Sequence, residues 1–219
     1  MKGISEFIIN DYKPLEANSL VADAQDFFSQ EPFTHFPVVD QKVYIGSISA
    51  EDVDTFDPDK TLAQYRYAME GFFARPDILW LDAMELFAKN QTNVLPVLSK
   101  ENVYVGYCEA TDIIKLFNDT PFLKEPGSVL IVEKAANDYS MSQIVQIVES
   151  NNSKVLGVML NETSGPNVQV LIKISLGSLN EIIQSFRRYE YEVISDHPED
   201  AYINSLKERS DYLDKYLNI

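Results

Sequence analysis

Ser49-Ala50-Glu51-Asp52 and Glu109-Ala110-Thr111-Asp112 each set a polar side chain three residues ahead of an aspartate. In the first, the Ser49 oxygen can accept from the orphan N–H groups of a starting helix. Asp52 would then lie in the first turn, where the macrodipole favours negative charge. A helix N-terminus also attracts anions, so capping and ligand contact are compatible readings of Ser49 and Asp52. Glu109 has no hydroxyl to donate, and capping or surface solvation takes precedence for Glu109 and Asp112. His35 is a titratable group whose charge changes near neutral pH. Other chemistry is thinly provided. The two histidines, His35 and His197, and the single Cys108 are too few for a metal site or a Cys–His dyad. Cys108, among apolar neighbours, reads as a structural thiol. No nucleophile, base and oxyanion donor come together, and the chain reads as non-enzymatic.

The elements around these residues occur twice. Thr34-His35-Phe36-Pro37-Val38-Val39 leads to Val43-Tyr44-Ile45-Gly46 and then Ser49, while Asn93-Val94-Leu95-Pro96-Val97-Leu98 leads to Val103-Tyr104-Val105-Gly106 and then Glu109. Pro37 and Pro96 are 59 positions apart and Gly46 and Gly106 are 60, which places a one-residue insertion at Asn102. Asp23-Ala24 and Asp82-Ala83 share the proline spacing. Such self-similarity fixes architecture before any local propensity does.

The pattern around each copy predicts strand–helix–strand–strand–helix. In the first copy, Asn18 or Ser19 caps a helix with Leu20, Ala24, Phe27 and Phe28 inward, and Pro32 ends it. Two short strands follow, about Pro37–Val39 and Val43–Ile48, with a helix from near Ser49. In the second, Gly71–Ala74 is the first strand. Ile78–Lys89 is the helix, with Leu81 or Ala83, Leu86 and Phe87 inward. Val94–Leu98 and Val103–Cys108 are the strand pair and Thr111–Asn118 closes the copy. Residues 62–69 read as a linking helix, and Ile4–Ile9 as either helix or strand.

Pro121, Pro126 and Gly127 mark a boundary. Beyond it come a strand over Val129–Glu133, a helix opened by the capping box Ser140-Met141-Ser142-Gln143, and a strand over Val155–Leu160. Val168, Val170, Ile172 and Ile174 then alternate as in a half-buried antiparallel strand. Ser178-Leu179-Asn180-Glu181 opens a second helix, and Tyr189–Ile194 is the last strand. The order βαββαβ is that of a ferredoxin-like split unit. The expected divisions are residues 1–125 for the repeated pair, with copies at about 11–60 and 67–120, then 126–196, then a helical tail over 197–219.

Composition narrows the partners. The 219 residues carry 34 acidic and 18 basic side chains, a net charge of −16 that opposes nucleic acid and anionic membrane. No run approaches the ~20 apolar residues of a membrane span, and the N-terminal residues lack a signal-peptide core. A lone cysteine suits a reducing compartment. The expectation is a cytoplasmic protein.

The duplicated Pro-Val-hydrophobic, Tyr-hydrophobic-Gly and trailing Asp resemble the CBS domain over about Tyr12–Asn118, in a tandem pair of the Bateman-module kind. The βαββαβ unit resembles an ACT-type regulatory domain, and the combination is similar to the acetoin-utilisation type of CBS–ACT protein. The fold this implies is α/β (α+β): two pseudo-two-fold β-α-β-β-α copies, a ferredoxin-like domain and a C-terminal helix. In CBS domains a Ser or Thr three residues after the strand glycine and an Asp three further on hold the ribose of an adenine nucleotide. These fall on Ser49 and Asp52, and on Glu109 and Asp112. Glu109 departs from the pattern, because a carboxylate 4 Å from a phosphate costs about 4 kcal/mol at an effective dielectric of about 20. The family's basic residue two before the proline falls on His35 and Val94. The resemblance implies AMP, ATP or S-adenosylmethionine as regulatory ligand and a homodimer as the working form. A ligand-free scaffold and an amino-acid sensor acting through the ACT-like loop Lys134–Tyr139 are the alternatives.

Overall fold

A computed structural model describes residues 3–195 together with His197, Asp200 and Lys207. The chain divides into two compact units, residues 1–117 and 118–219. In the first copy β1 (Leu15–Glu16), α1 (Val21–Gln30), β2 (His35–Asp40), β3 (Val43–Ser49) and α2 (Ala50–Thr55) follow in order. In the second, α3 (Trp80–Lys89), β4 (Val94–Leu98), β5 (Tyr104–Glu109) and α4 (Ala110–Asn118) do the same. The expected strand at Gly71–Ala74 reduces to one parallel bridge, Ala74 to Val97, the counterpart of β1 pairing with β2. Residues Leu62–Ala68 and Ile4–Phe7 form 3₁₀ turns.

The shared Asp-Ala pairs explain themselves in the helices. The N-caps are Leu20 and Leu79, which have no polar side chain, and Asp23 and Asp82 reach back to accept from their N–H groups at 3.3 and 3.4 Å. The cap is therefore not Asn18 or Ser19, and α3 begins at Trp80 rather than Ile78. Ala24 and Ala83 are fully buried under these turns. Leu20 and Leu81 face solvent instead, and Val21 takes the inward position expected of Leu20.

The insertion at Asn102 is a change of turn type. The β2–β3 hairpin turns on Gln41 and Lys42, both in the left-handed region at φ 48° and 71°, as a two-residue turn matching strand twist requires. The β4–β5 hairpin spends Lys100, Glu101 and Asn102, and only Asn102 is left-handed, at φ 62°. Both hairpins bulge at the same repeat position, Val38/Val39 and Val97/Leu98.

Each copy lends its lead-in to the other. Ile9 bridges to Tyr107 and Glu70 bridges to Ser47, so foreign backbone crosses each hairpin beside its glycine. A Cβ on Gly106 would stand 2.5 Å from the Ile9 carbonyl oxygen, and one on Gly46 2.7 Å from Met69 Cβ. The glycine of each motif is thus a close-approach residue. Ile4 accordingly packs in the second-copy core with Ala83, Leu95 and Ile113. Leu62 and Tyr65 pack in the first with Val21, Val38 and Ile48.

The second unit holds a short α5 (Pro121–Lys124), then β6 (Gly127–Ala135), α6 (Met141–Ser150), β7 (Val155–Glu162), β8 (Asn167–Ser175), α7 (Leu179–Arg188) and β9 (Glu192–Val193). The sheet is antiparallel in the order β7-β8-β6-β9, the ferredoxin-like topology. Inward residues of β6 and β8 meet Ile144, Val148, Ile182 and Phe186 of the two helices in one core. Ser140 caps α6 as expected, accepting from Gln143 N–H at 3.4 Å, but Ser178 makes no side-chain cap bond. The last strand is shorter than Tyr189–Ile194, because Tyr189–Tyr191 close the C-terminus of α7 on Ser185, Phe186 and Arg187 carbonyls. The helical tail expected over 197–219 lies outside the described residues apart from His197, Asp200 and Lys207. The architecture is α/β (α+β): two β-α-β-β-α copies followed by a ferredoxin-like domain.

Candidate functional site

Ser49, Asp52 and His35 come together in a cleft of about 620 Å³ in the first unit. β3 ends at Ser49 and α2 begins at Ala50, so the motif straddles a strand-to-helix corner. Ser49 Oγ accepts from Asp52 N–H at 3.0 Å and donates to Asp52 Oδ2 at 2.8 Å. That is helix capping in full, and the other carboxylate oxygen of Asp52 has no partner among the described residues. The Ala50 N–H is spent on the Thr34 carbonyl at 2.9 Å.

His35, at the start of β2, has a side chain only 12% exposed. Its ring stands edge-on to Phe72, with Nδ1 3.2 Å from Thr34 Oγ1 and Nε2 3.3 Å from Glu70 Oε1. The second copy closes the cleft with Glu70 from its lead-in and Lys89, Asn90 and Gln91 from the end of α3. Sequence reading missed these four. They lie far along the chain, and the exchange of lead-ins that brings Glu70 to His35 is a tertiary feature. The repeat held one usable signal: Glu70 stands 59 positions after Asp11, so both copies carry an acid at that point.

The copies are joined at equivalent residues. Asn93 Oδ1 accepts from Thr34 N–H at 2.9 Å and from its hydroxyl at 3.2 Å, and Asn93 N–H donates to Thr34 Oγ1 at 3.1 Å. Asn93 Nδ2 also donates to the Pro32 carbonyl at 2.7 Å. This reciprocal bond fixes the start of β2, and with it His35.

Glu109 and Asp112 have other engagements. Thr111 donates to Glu109 at 3.3 Å, and Lys115 donates to Asp112 Oδ1 at 2.8 Å, which raises the lysine's pKa. In repeat register Gln30 and Glu31 stand where Lys89 and Asn90 stand in the first cleft. The Tyr12 hydroxyl is held above its usual pKa first by its bond to Glu31, then by burial and the charges of Glu31, Asp11 and Glu109. An acid therefore lies near the position that a cation takes in the first copy.

Beside the sites, Tyr44 is hydrogen-bonded to Ser47 Oγ at 3.0 Å and donates to the Phe72 carbonyl at 2.7 Å. Burial pushes its pKa up to about 12. Its counterpart Tyr104 is raised further by burial, and its hydroxyl has no partner among the described residues. Burial likewise pushes the Cys108 thiol up to about 12, the opposite of an activated nucleophile. Among the described residues no group of three or more His, Cys, Asp or Glu is placed to hold a metal ion, and no helix is long and apolar enough to cross a membrane.

In the second unit, the loop between β6 and α6 closes on itself. The N–H groups of Ala136, Asp138 and Tyr139 donate to the carbonyls of Pro166 and Ala135, and that of Ser140 donates to the Tyr191 hydroxyl at 3.0 Å.

Known structures offer a limited likeness. A CBS domain pair/ACT domain protein from Thermotoga maritima is 19% identical with a TM-score of 0.48, covering 52% of this chain and 95% of that one. The CBS domains of a transcriptional regulator from Streptococcus pneumoniae are 17% identical with a TM-score of 0.47, covering 52% and 98%. No match to a curated protein sequence is found. The motif that organises the second copy has a family: residues 71–119 match the model of the CBS domain.

Proposed function

We propose that the chain is a non-enzymatic regulatory sensor, which binds an adenosine-containing ligand in the first-copy cleft and acts through a homodimer. The observation that carries this is the cleft itself. It gathers Ser49, Asp52 and His35, which the CBS resemblance assigns to the ligand, with residues of the other copy over them. Such a ligand would touch both halves of the pair, so its binding would favour one arrangement of the copies over another. The free Asp52 oxygen suits the hydroxyls of a ribose, and Ser49 can turn its own hydroxyl from Asp52 to the ligand. The closed β6–α6 loop speaks against the amino-acid alternative, because four of its backbone donors already have acceptors.

Isothermal titration with adenosine, AMP, ATP and S-adenosylmethionine tests the reading. At least one should bind with an affinity that Ser49→Gly and Asp52→Asn reduce. Glycine is the informative replacement, since it keeps most of an N-cap's stability, within a few tenths of a kcal/mol. Loss of binding at unchanged melting temperature would therefore belong to the ligand. Silence from all four at millimolar concentration would leave the scaffold reading in its place.

A further inference from the structure

We infer that the first-copy cleft prefers an adenosyl compound whose 5′ substituent is neutral or cationic over one bearing phosphate, and that Glu70 sets the preference. This rests on the adenosine-ligand reading above. The lining holds three carboxylates, Glu51, Asp52 and Glu70, against Lys89 and the histidine His35. A compact cavity of about 620 Å³ has a radius of roughly 5 Å, inside the ~8 Å Debye length at physiological salt, so a phosphate held near its centre feels all three.

Two further features reduce the usual compensation. Of the first three N–H groups of α2, that of Ala50 is donated to the Thr34 carbonyl and that of Asp52 to Ser49 Oγ, which leaves the Glu51 N–H. With 6 residues, α2 also has little dipole to offer an anion. Meanwhile the histidine that could turn cationic has Glu70 at 3.3 Å, so its positive charge would be answered within the protein.

The Glu70 backbone is held in place. Its backbone exchanges two hydrogen bonds of 2.8 Å with Ser47, and its lead-in lies against Gly46 where no side chain intervenes. Its own side chain is 49% exposed, which leaves the carboxylate available to a ligand. The same carboxylate that repels a phosphate would attract a sulfonium.

The test is titration of the full chain with adenosine, S-adenosylmethionine, AMP and ATP, in EDTA so that no cation bridges phosphate to carboxylate. Wild type should bind adenosine and S-adenosylmethionine at least about tenfold more tightly than AMP, with ATP weakest. Glu70→Gln should narrow the AMP gap by about tenfold while leaving adenosine within about twofold. Lys89→Gln should move AMP the other way, and an unchanged melting temperature checks each variant's fold. AMP or ATP binding wild type as tightly as adenosine would overturn the preference. So would a Glu70→Gln variant that shifts adenosine and AMP together. Failure of all four compounds overturns the adenosine reading beneath it, a result distinct from binding without charge discrimination.

Discussion

The two repeat tyrosines should respond in opposite directions to loss of a hydroxyl. Tyr44 is followed three residues later by Ser47, whose side chain meets its hydroxyl, and the same hydroxyl donates to the Phe72 carbonyl at 2.7 Å. Tyr104 is followed by Tyr107, a ring in place of a small hydroxyl, and the Tyr104 oxygen is buried with no partner among the described residues. Removing one member of a buried hydrogen bond strands the other and costs ~1–3 kcal/mol, whereas removing an already unpaired group relieves a penalty. Tyr44→Phe should therefore lose about 1.5 kcal/mol, and Tyr104→Phe should lose nothing or gain up to about 1 kcal/mol. Trp80 is the only tryptophan and lies in α3, so its fluorescence follows unfolding of the first unit. With a urea slope of about 1–3 kcal/mol per M, the Tyr44 loss moves the midpoint down by roughly 0.5–1.5 M. Equal losses in the two variants would refute the pairing argument, and a larger loss for Tyr104→Phe would reverse it.

Two further perturbations bear on the join between copies and on alkaline stability. A double-mutant cycle on Thr34→Ala and Asn93→Ala should give a coupling of about 0.5–1.5 kcal/mol, and strict additivity would mean that the reciprocal bond contributes nothing. Cys108, Tyr44 and Tyr104 all have pKa values raised by burial, so the native state keeps protons that the unfolded chain releases. Stability should be whole below about pH 9. Above it, stability should fall by up to about 1.4 kcal/mol per pH unit for each proton retained, until the folded values are passed. Urea midpoints measured from about pH 8 to pH 11 check this, and a flat profile would contradict it.

The architecture was legible because its signal was written twice. Pro37 and Pro96, Gly46 and Gly106, and Asp23 and Asp82 each recur in register. The structure gives the glycines and the aspartates one physical role per pair, a close backbone approach and a back-reaching cap. Even the slip at Asn102 could be placed, since a hairpin that gains one residue changes its turn type. What could not be read were facts that depend on which side chain lies nearest. Leucine at the N-caps of α1 and α3 defeats a rule built on Ser, Thr, Asp and Asn. The shortness of β9 follows from the way Tyr189–Tyr191 close α7. Glu70 reaches the cleft because the copies exchange lead-ins, and Lys89 because α3 ends beside the join of Asn93 to Thr34, neither of which periodicity within one copy reports.

The inequality of the two copies is sharper in three dimensions than in the residue pattern. Glu109 and Val94 mark the second copy as different in sequence, and one unfavourable charge could be offset by a nearby cation. The chain instead sets Glu31 at the repeat position of Asn90, beside Gln30 at that of Lys89, and draws Asp11 and Glu109 toward the same Tyr12 hydroxyl. Asp112, the remaining ribose candidate, is engaged by Lys115 on its own helix. On the proposed reading each departure works against a nucleotide in the second copy: a missing donor, a missing cation, and one Asp112 oxygen already bonded. The pseudo-two-fold frame does not need them, because it is held by Asn93 on Thr34 and by Ile9 and Glu70 crossing opposite hairpins. Symmetry is thus kept in the backbone, where the fold depends on it. It has lapsed in the side chains around Glu109 and Asp112, which leaves the proposed ligand reading to the first copy.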